Sequence, residues 1–200
     1  MKNLSFKLIL LWFRGRILRN RAALWNYQYA VGRWEKLKAS PEEARLEATA
    51  HLLRRHVPAG RVLEIGCGEA LLQQRLRPED YREWLGVDIS EVAIQRAQAF
   101  AGPNVRYLAA DMETLDPDGK FDAIVFTESI YAVPDRVKLL RRYTHFLSPA
   151  GLFIVSICRS KRGPQYWSEI HQVTAMIDAI TTTNERGIWD CEVLRPMRTE

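Results

Sequence analysis

The sequence predicts an α/β fold built on a parallel sheet. Three observations carry this reading. Short apolar runs alternate with helix-patterned stretches between about residue 43 and residue 157, the order expected of consecutive βαβ units. The run Phe121–Phe126 is apolar enough for a strand covered on both faces. Glycine and proline punctuate the junctions at Val57-Pro58-Ala59-Gly60 and Pro149-Ala150-Gly151.

The 200 residues suit one domain with a small appendage. Residues 1–40 read as a basic and aromatic helical appendage, and residues 41–200 as the main domain. Within the appendage, residues 4–13 form an apolar run interrupted by Lys7 and followed by Arg14-Gly15-Arg16. The run is shorter than the roughly 20 apolar residues that span a bilayer. It also lacks the small-residue cleavage site of a signal peptide. Two readings stay open for residues 1–21: a helix lying in a membrane interface, or a lid packed on the main domain. Lys7, Arg14 and Arg21 recur every seven residues, so a continuous helix would carry them on one face. Trp25, Tyr27, Tyr29 and Trp34 make the second half strongly aromatic, suited to a pocket wall or to plain packing.

Ser40-Pro41-Glu42-Glu43 has the residues of a helix start. That helix runs to His56, with Leu46, Ala50 and Leu53 on one face. Arg61–Ile65 reads as the first strand and Ala70–Leu76 as a helix. Trp84–Val87 is the second strand, Glu91–Phe100 a helix, and Val105–Ala109 the third strand. Phe121–Phe126 is the fourth strand, Arg136–Phe146 a helix, and Leu152–Ile157 the fifth strand. Beyond it, Ser168–Ile180 reads as a helix and Ile188–Leu194 as one more strand or a hairpin arm.

Charge is unevenly placed. Residues 1–34 hold seven lysines and arginines and no acid, so of the chain's net +5 they supply +7 and the remainder −2. A main domain without basic excess argues against a nucleic-acid partner. Cys67, Cys158 and Cys191 are far apart, with no CxxC pair and no cluster of metal-ligand type, so no metal is expected. They read as reduced thiols of a cytoplasmic protein, peripheral at the inner membrane face if residues 1–21 meet lipid. Oligomeric state is not legible.

The chemistry begins at Gly66 and Gly68, between a buried strand and the next element. Glycines there let the chain turn tightly and let a ligand approach the backbone. In doubly wound sheets, the crevice beyond the strand ends is the ligand site. Asp88 ends the second strand, 20 residues after Gly68. A carboxylate there can accept hydrogen bonds from both ribose hydroxyls, or it can cap the following helix in competition with Ser90. The dinucleotide fingerprint wants a third glycine where this chain has Leu71. Glu64 adds an acid two residues before the first glycine, which suits a cationic ligand better than a pyrophosphate.

Val62-Leu63-Glu64-Ile65-Gly66-Cys67-Gly68 resembles motif I of class I S-adenosylmethionine (SAM)-dependent methyltransferases. Gly86-Val87-Asp88-Ile89-Ser90 resembles motif II, Ala110-Asp111-Met112 the adenine-binding motif, and Phe121–Phe126 the motif IV strand. Leu147-Ser148-Pro149-Ala150-Gly151-Leu152 resembles the loop before strand five, with Ala150 where the family usually has glycine. The resemblance spans about residues 45–160 with the motifs in family order. It implies a Rossmann-like, doubly wound, seven-strand-type sheet with helices on both faces and a helical lid at the N-terminus. It implies SAM as cofactor and S-adenosyl-L-homocysteine as product. Backbone at Gly66, Cys67 and Gly68 would follow the methionine part, beside Glu64. Asp88 would hold the ribose, Ile89 flank the adenine, Asp111 meet its amino group and the Met112 backbone a ring nitrogen. The Thr127 carbonyl would face the methionine ammonium. Core packing is the competing role for Ile89 and Met112.

On the acceptor side, Thr127-Glu128-Ser129-Ile130-Tyr131-Ala132-Val133 resembles the Ser-Glu-Val-Leu-Tyr-Tyr-Leu stretch of the nodulation-protein-S-like branch, which N-methylates a sugar amine. Ala132 replaces the second tyrosine of that pattern. Glu128 is the first candidate base or ammonium anchor. Tyr131 is a candidate for orienting the acceptor, and His171 for a second base. The expected activity is methyl transfer to nitrogen or oxygen of a small-molecule or glycan-like acceptor. A nicotinamide-dependent oxidoreductase and a non-catalytic SAM-fold binding protein are the alternatives. An RNA or protein methyltransferase fits less well, because the main domain is not basic and no Asn-Pro-Pro-Tyr motif follows the fourth strand.

Overall fold

In a computed structural model of the chain, residues 2–17, 20–38 and 43–197 are described, with side chains from residue 7 onward. The apolar runs become β1 (Gly60–Ile65), β2 (Tyr81–Asp88), β3 (Val105–Ala109), β4 (Phe121–Thr127) and β5 (Leu147–Cys158), followed by β6 (Thr174–Asn184) and β7 (Gly187–Pro196). They form one seven-stranded sheet in the order β3-β2-β1-β4-β5-β7-β6. The first five strands are parallel, and β7 runs antiparallel to both β5 and β6. Strand order reverses between β1 and β4, and there the carboxyl ends of two adjacent strands leave a crevice.

The helices are α1 (Lys2–Arg16), α2 (Arg21–Ala30), α3 (Glu43–His56), α4 (Glu91–Ala97), α5 (Arg136–Thr144) and α6 (Gly163–Ile170). Local chemistry sets their starts. Ser90 accepts from Ala93 N–H at 3.2 Å, and Asp135 accepts from Lys138 N–H at 2.8 Å, each satisfying an otherwise orphaned donor of the first turn. The core lies on both faces of the sheet. Trp84, Leu53 and Ile154 belong to one cluster, and Ile124, Phe126, Tyr143 and Phe153 to the other. Each of these large buried side chains contributes about 1.5–3 kcal/mol of transfer free energy.

Four sequence expectations need correction. Ala70–Leu76 is a series of turns with a 3₁₀ segment at Gln73–Arg75 and no α-helix. Ala70 has φ +65°, a left-handed conformation that interrupts helical winding. The helix from Glu91 ends at Ala97 and tightens to a 3₁₀ turn over Gln98–Phe100. Ser168–Ile180 is divided: α6 stops at Ile170, and Thr174–Asn184 is strand β6. Its Thr181-Thr182-Thr183 run is β-branched, which favours the pleated strand. Finally, Lys7, Arg14 and Arg21 do not share a helix, because α1 ends at Arg16 and Asn20 caps the separate helix α2, accepting from Ala23 N–H at 2.9 Å. The expected helix start at Ser40-Pro41-Glu42 and the boundary at residue 40 lie outside the described residues.

Candidate functional site

A cavity of about 630 Å³ occupies the crevice at the β1–β4 switch point. Glu64, at the end of β1, and Gly66, Cys67 and Gly68, in the loop beyond it, line one wall. The loop is held by the backbone N–H groups of Gly66 and Cys67, both donating to the Val87 carbonyl at 2.7 and 3.0 Å. Two positions in it demand glycine. Gly66 has φ +76°, and a Cβ there would lie 2.4 Å from the Ser129 Cβ. Gly68 has φ +55°, and a Cβ there would lie 2.7 Å from the Tyr29 hydroxyl.

Asp88 ends β2 beside this loop. Its carboxylate accepts from Gly68 N–H at 3.0 Å and from Ser90 N–H at 2.8 Å. The helix cap of α4 is Ser90 itself, so the competition between these two residues is resolved in favour of Ser90. Ile89, Asp111 and Met112 line the next part of the cavity. Asp111 accepts from Glu113 N–H at 2.9 Å and faces Arg21 at 3.9 Å. The Met112 carbonyl is fixed by the Tyr143 hydroxyl at 2.9 Å. Thr127, Glu128 and Tyr131 enter from the end of β4.

Three acids in this cavity are pushed above the ordinary carboxylate range. Burial raises Glu64 to about 8, with the neighbouring Asp88 charge adding to the shift. The Trp84 indole tempers that rise, yet Glu64 Oε2 and Trp84 Nε1 are both buried without a hydrogen-bond partner. Burial raises Asp88 to about 6, against the pull of its backbone donors. Burial raises Glu128 to about 7, opposed by the positive charge of Arg45. Glu128 adopts φ +55°, a strained conformation for a residue with a Cβ, costing about 1–3 kcal/mol. Its two oxygens face the Tyr131 and Ser156 hydroxyls, each at 3.4 Å. Tyr131 stacks on Tyr166 with centroids 6.1 Å apart, and burial holds its phenol protonated well above its usual range.

Part of residues 21–38 lines one side of this crevice. Trp25, Tyr29 and Trp34 line the cavity, while Tyr27 does not. Asn26 is buried and accepts from the Ser90 hydroxyl at 2.8 Å and Val92 N–H at 3.2 Å, fastening α2 to the start of α4. Lys38 and Arg96 both reach Glu69, at 2.5 and 2.6 Å. Arg186, in the β6–β7 turn, donates to the Lys36 carbonyl at 2.9 Å.

His171 is placed elsewhere. Its imidazole is exposed, bonds Glu192 at 2.7 Å, stacks on Trp167 and does not line the cavity. Arg159 pairs with Asp190 at 2.7 Å, also outside it. Sequence reasoning missed Arg45, Leu37, Cys158 and Trp189, which all line the cavity. Arg45 is only 4% exposed. A helical arginine ordinarily reads as a solvated face, so periodicity gave no signal for it.

Residues 62–151 match a family model described as a methyltransferase domain. The likeness to that domain runs from β1 into β5, the part of the chain that carries the crevice. The chain is 32% identical over 136 residues to 27-O-demethylrifamycin SV methyltransferase of Amycolatopsis mediterranei, covering 64% of this chain and 50% of that protein. It is 34% identical over 99 residues to ubiquinone biosynthesis O-methyltransferase of Bradyrhizobium diazoefficiens, covering 48% and 39%. The chain thus spans about half the length, or less, of these relatives. Among solved structures, the N-methyltransferase NodS of Bradyrhizobium japonicum with S-adenosyl-L-homocysteine superimposes with TM-score 0.70 at 17% identity, covering 82% of this chain and 92% of that one. The 1,6-didemethyltoxoflavin-N1-methyltransferase of Burkholderia thailandensis superimposes with TM-score 0.71 at 18% identity, covering 89% of each. At these identities the superpositions establish the fold.

Proposed function

We infer that this chain is a SAM-dependent methyltransferase acting on nitrogen or oxygen of a small-molecule or glycan-like acceptor. The observation that carries the reading is Glu64, a 2%-exposed acid with an unpartnered oxygen, in a cavity shared with Gly66, Gly68, Asp88 and Asp111. A buried carboxylate oxygen without a hydrogen-bond partner is costly unless a ligand supplies one. A ligand carrying an ammonium and a sulfonium, with a ribose within reach of Asp88, meets that need. Three of the proteins named above act on small molecules by their printed names, which supports a small-molecule acceptor.

In this reading Glu64 and the Thr127 carbonyl face the methionine part, and Gly66, Cys67 and Gly68 allow close backbone approach. Asp88 takes the ribose hydroxyls, and Ile89, Asp111 and Met112 enclose the adenine. Bound SAM supplies an activated methyl group for in-line displacement. The remaining work of the protein is alignment, water exclusion and proton handling. Trp25, Tyr29 and Trp34 close the crevice as a lid formed by the N-terminal segment. Glu128, poised near neutrality, takes the proton from an acceptor hydroxyl or ammonium, and Tyr131 orients that acceptor.

The test is transfer of a labelled methyl group from SAM to a panel of amino sugars, glycolipid precursors and hydroxylated metabolites. Labelled product together with S-adenosyl-L-homocysteine is expected from the native chain. Asp88→Ala should reduce SAM affinity about 10- to 100-fold, the scale of charge-assisted hydrogen bonds. Label entering only RNA or protein would contradict the small-acceptor reading.

A further inference from the structure

Outside the cavity, the outer surface of α1 exposes a group of large apolar side chains. Leu8, Leu11 and Gly15 face inward, and Gly15 brings the helix against Leu24 of α2. A Cβ at Gly15 would lie 2.6 Å from the Leu24 Cα, so a glycine is needed for this close packing. The outward side is apolar. Ile9, Leu10, Trp12, Phe13 and Ile17 are between 43% and 60% exposed. Ile9 and Phe13 lie four residues apart on α1, and Ile17, just past its end, still donates its N–H to the Phe13 carbonyl at 2.8 Å and extends the same stripe. Lys7 and Arg14, seven residues apart, border that stripe, and Arg16 lies near its end. All three bases are exposed, and none forms an ion pair with a described residue. By contrast Arg21, at the start of α2, reaches Glu113 and Asp111 of the main domain.

From this arrangement we propose that α1 docks the protein on an anionic lipid surface, with the Ile9–Phe13–Ile17 stripe buried at the headgroup boundary. Charge complementarity selects the occupant. Residues 1–34 contain no acid, so a second copy of α1 would bring like charges together with nothing to neutralise them. An anionic bilayer satisfies both features at once: the apolar stripe enters the acyl boundary, and the bases reach the headgroups. No described helix is long and apolar enough to cross a membrane, so the contact is peripheral. The close α1–α2 packing at Gly15 then places the helix that carries Trp25 and Tyr29 of the cavity wall next to that surface. Docking on this helix is independent of the methyl-transfer reading, and the test keeps them separate.

The experiment is flotation of the full chain with vesicles of phosphatidylcholine, with and without phosphatidylglycerol. SAM affinity is measured on the same preparations. The native chain should float with the anionic vesicles, far less with neutral ones, and less as salt rises. Lys7→Gln with Arg14→Gln should lower partitioning roughly 25-fold, each charge being worth about fivefold. Ile9→Asp with Phe13→Asp should lower it at least about tenfold. These side chains are exposed, and the midpoint of thermal unfolding should be unchanged in both variants, which shows that each is folded whether or not SAM binds. Failure of the native chain to float with anionic vesicles would overturn the proposal. So would flotation indifferent to both double variants. A native self-association in sedimentation, abolished by Ile9→Asp with Phe13→Asp and unaccompanied by vesicle binding, would reassign the stripe to a second copy.

Discussion

At the residue scale, the site depends on a few side chains whose surroundings oppose their ordinary ionisation. Glu128 is held by an unfavourable φ of +55° at the end of β4, with its carboxyl raised to about 7 by burial. A base is most useful when its pKa lies near the working pH. Glu128→Gln should therefore lower kcat about 10²- to 10⁴-fold with SAM affinity little changed. The acidic limb of the native rate profile should lie near pH 7 and vanish in the variant; a limb that persists would remove Glu128 from proton transfer. Gly68→Ala makes a second prediction. The new Cβ meets both a positive φ and the Tyr29 hydroxyl at 2.7 Å. It should cost more than about 1 kcal/mol, read as a lowered midpoint in chemical denaturation. The positions of Gly66, Gly68, Asp88 and Asp111 were legible because glycine turns and strand-end acids leave local signatures. Arg45 was not, because its burial arises from packing between α3 and strands far away in sequence.

At the element scale, strands were legible where apolar runs are continuous, as at Phe121–Phe126, and the helix start at Arg136 was placed correctly. Legibility failed where short-range preference and long-range pairing diverged. Residues 174–180 offer helical spacing, yet they pair with β7 along the antiparallel edge and become strand. The apparent seven-residue repeat of Lys7, Arg14 and Arg21 failed because Asn20 starts a new helix. The same helix α2 is tied to the main domain by Asn26, a buried side chain that receives both Ser90 Oγ–H and Val92 N–H. Asn26→Ala leaves those donors unsatisfied at the start of α4. It should destabilise the protein by about 1–2 kcal/mol and weaken SAM binding, because α4 begins beside Asp88. Unchanged SAM affinity in a destabilised Asn26→Ala protein would show that the α2–α4 contact is structural alone.

At the scale of the whole molecule, the charges of the cavity and the fold are linked. Glu64, Asp88 and Glu128 bind their protons more tightly in the folded protein than in the unfolded chain. Their contribution to stability is therefore complete below about pH 4 and is lost as pH rises through the folded values of about 6 to 8. In the proposed reading a cationic cofactor sits among these acids and favours their ionised forms, so its binding releases protons and its affinity rises over the same window. Calorimetric titration of SAM from about pH 5.5 to 8, repeated in buffers of different ionisation enthalpy, reads this linkage. Binding with net proton release is expected, with affinity that rises with pH by up to about tenfold per unit for each proton released. NADH should not compete. SAM binding that is absent while NADH binds would contradict the account, as would SAM affinity that is flat across this range with no proton release.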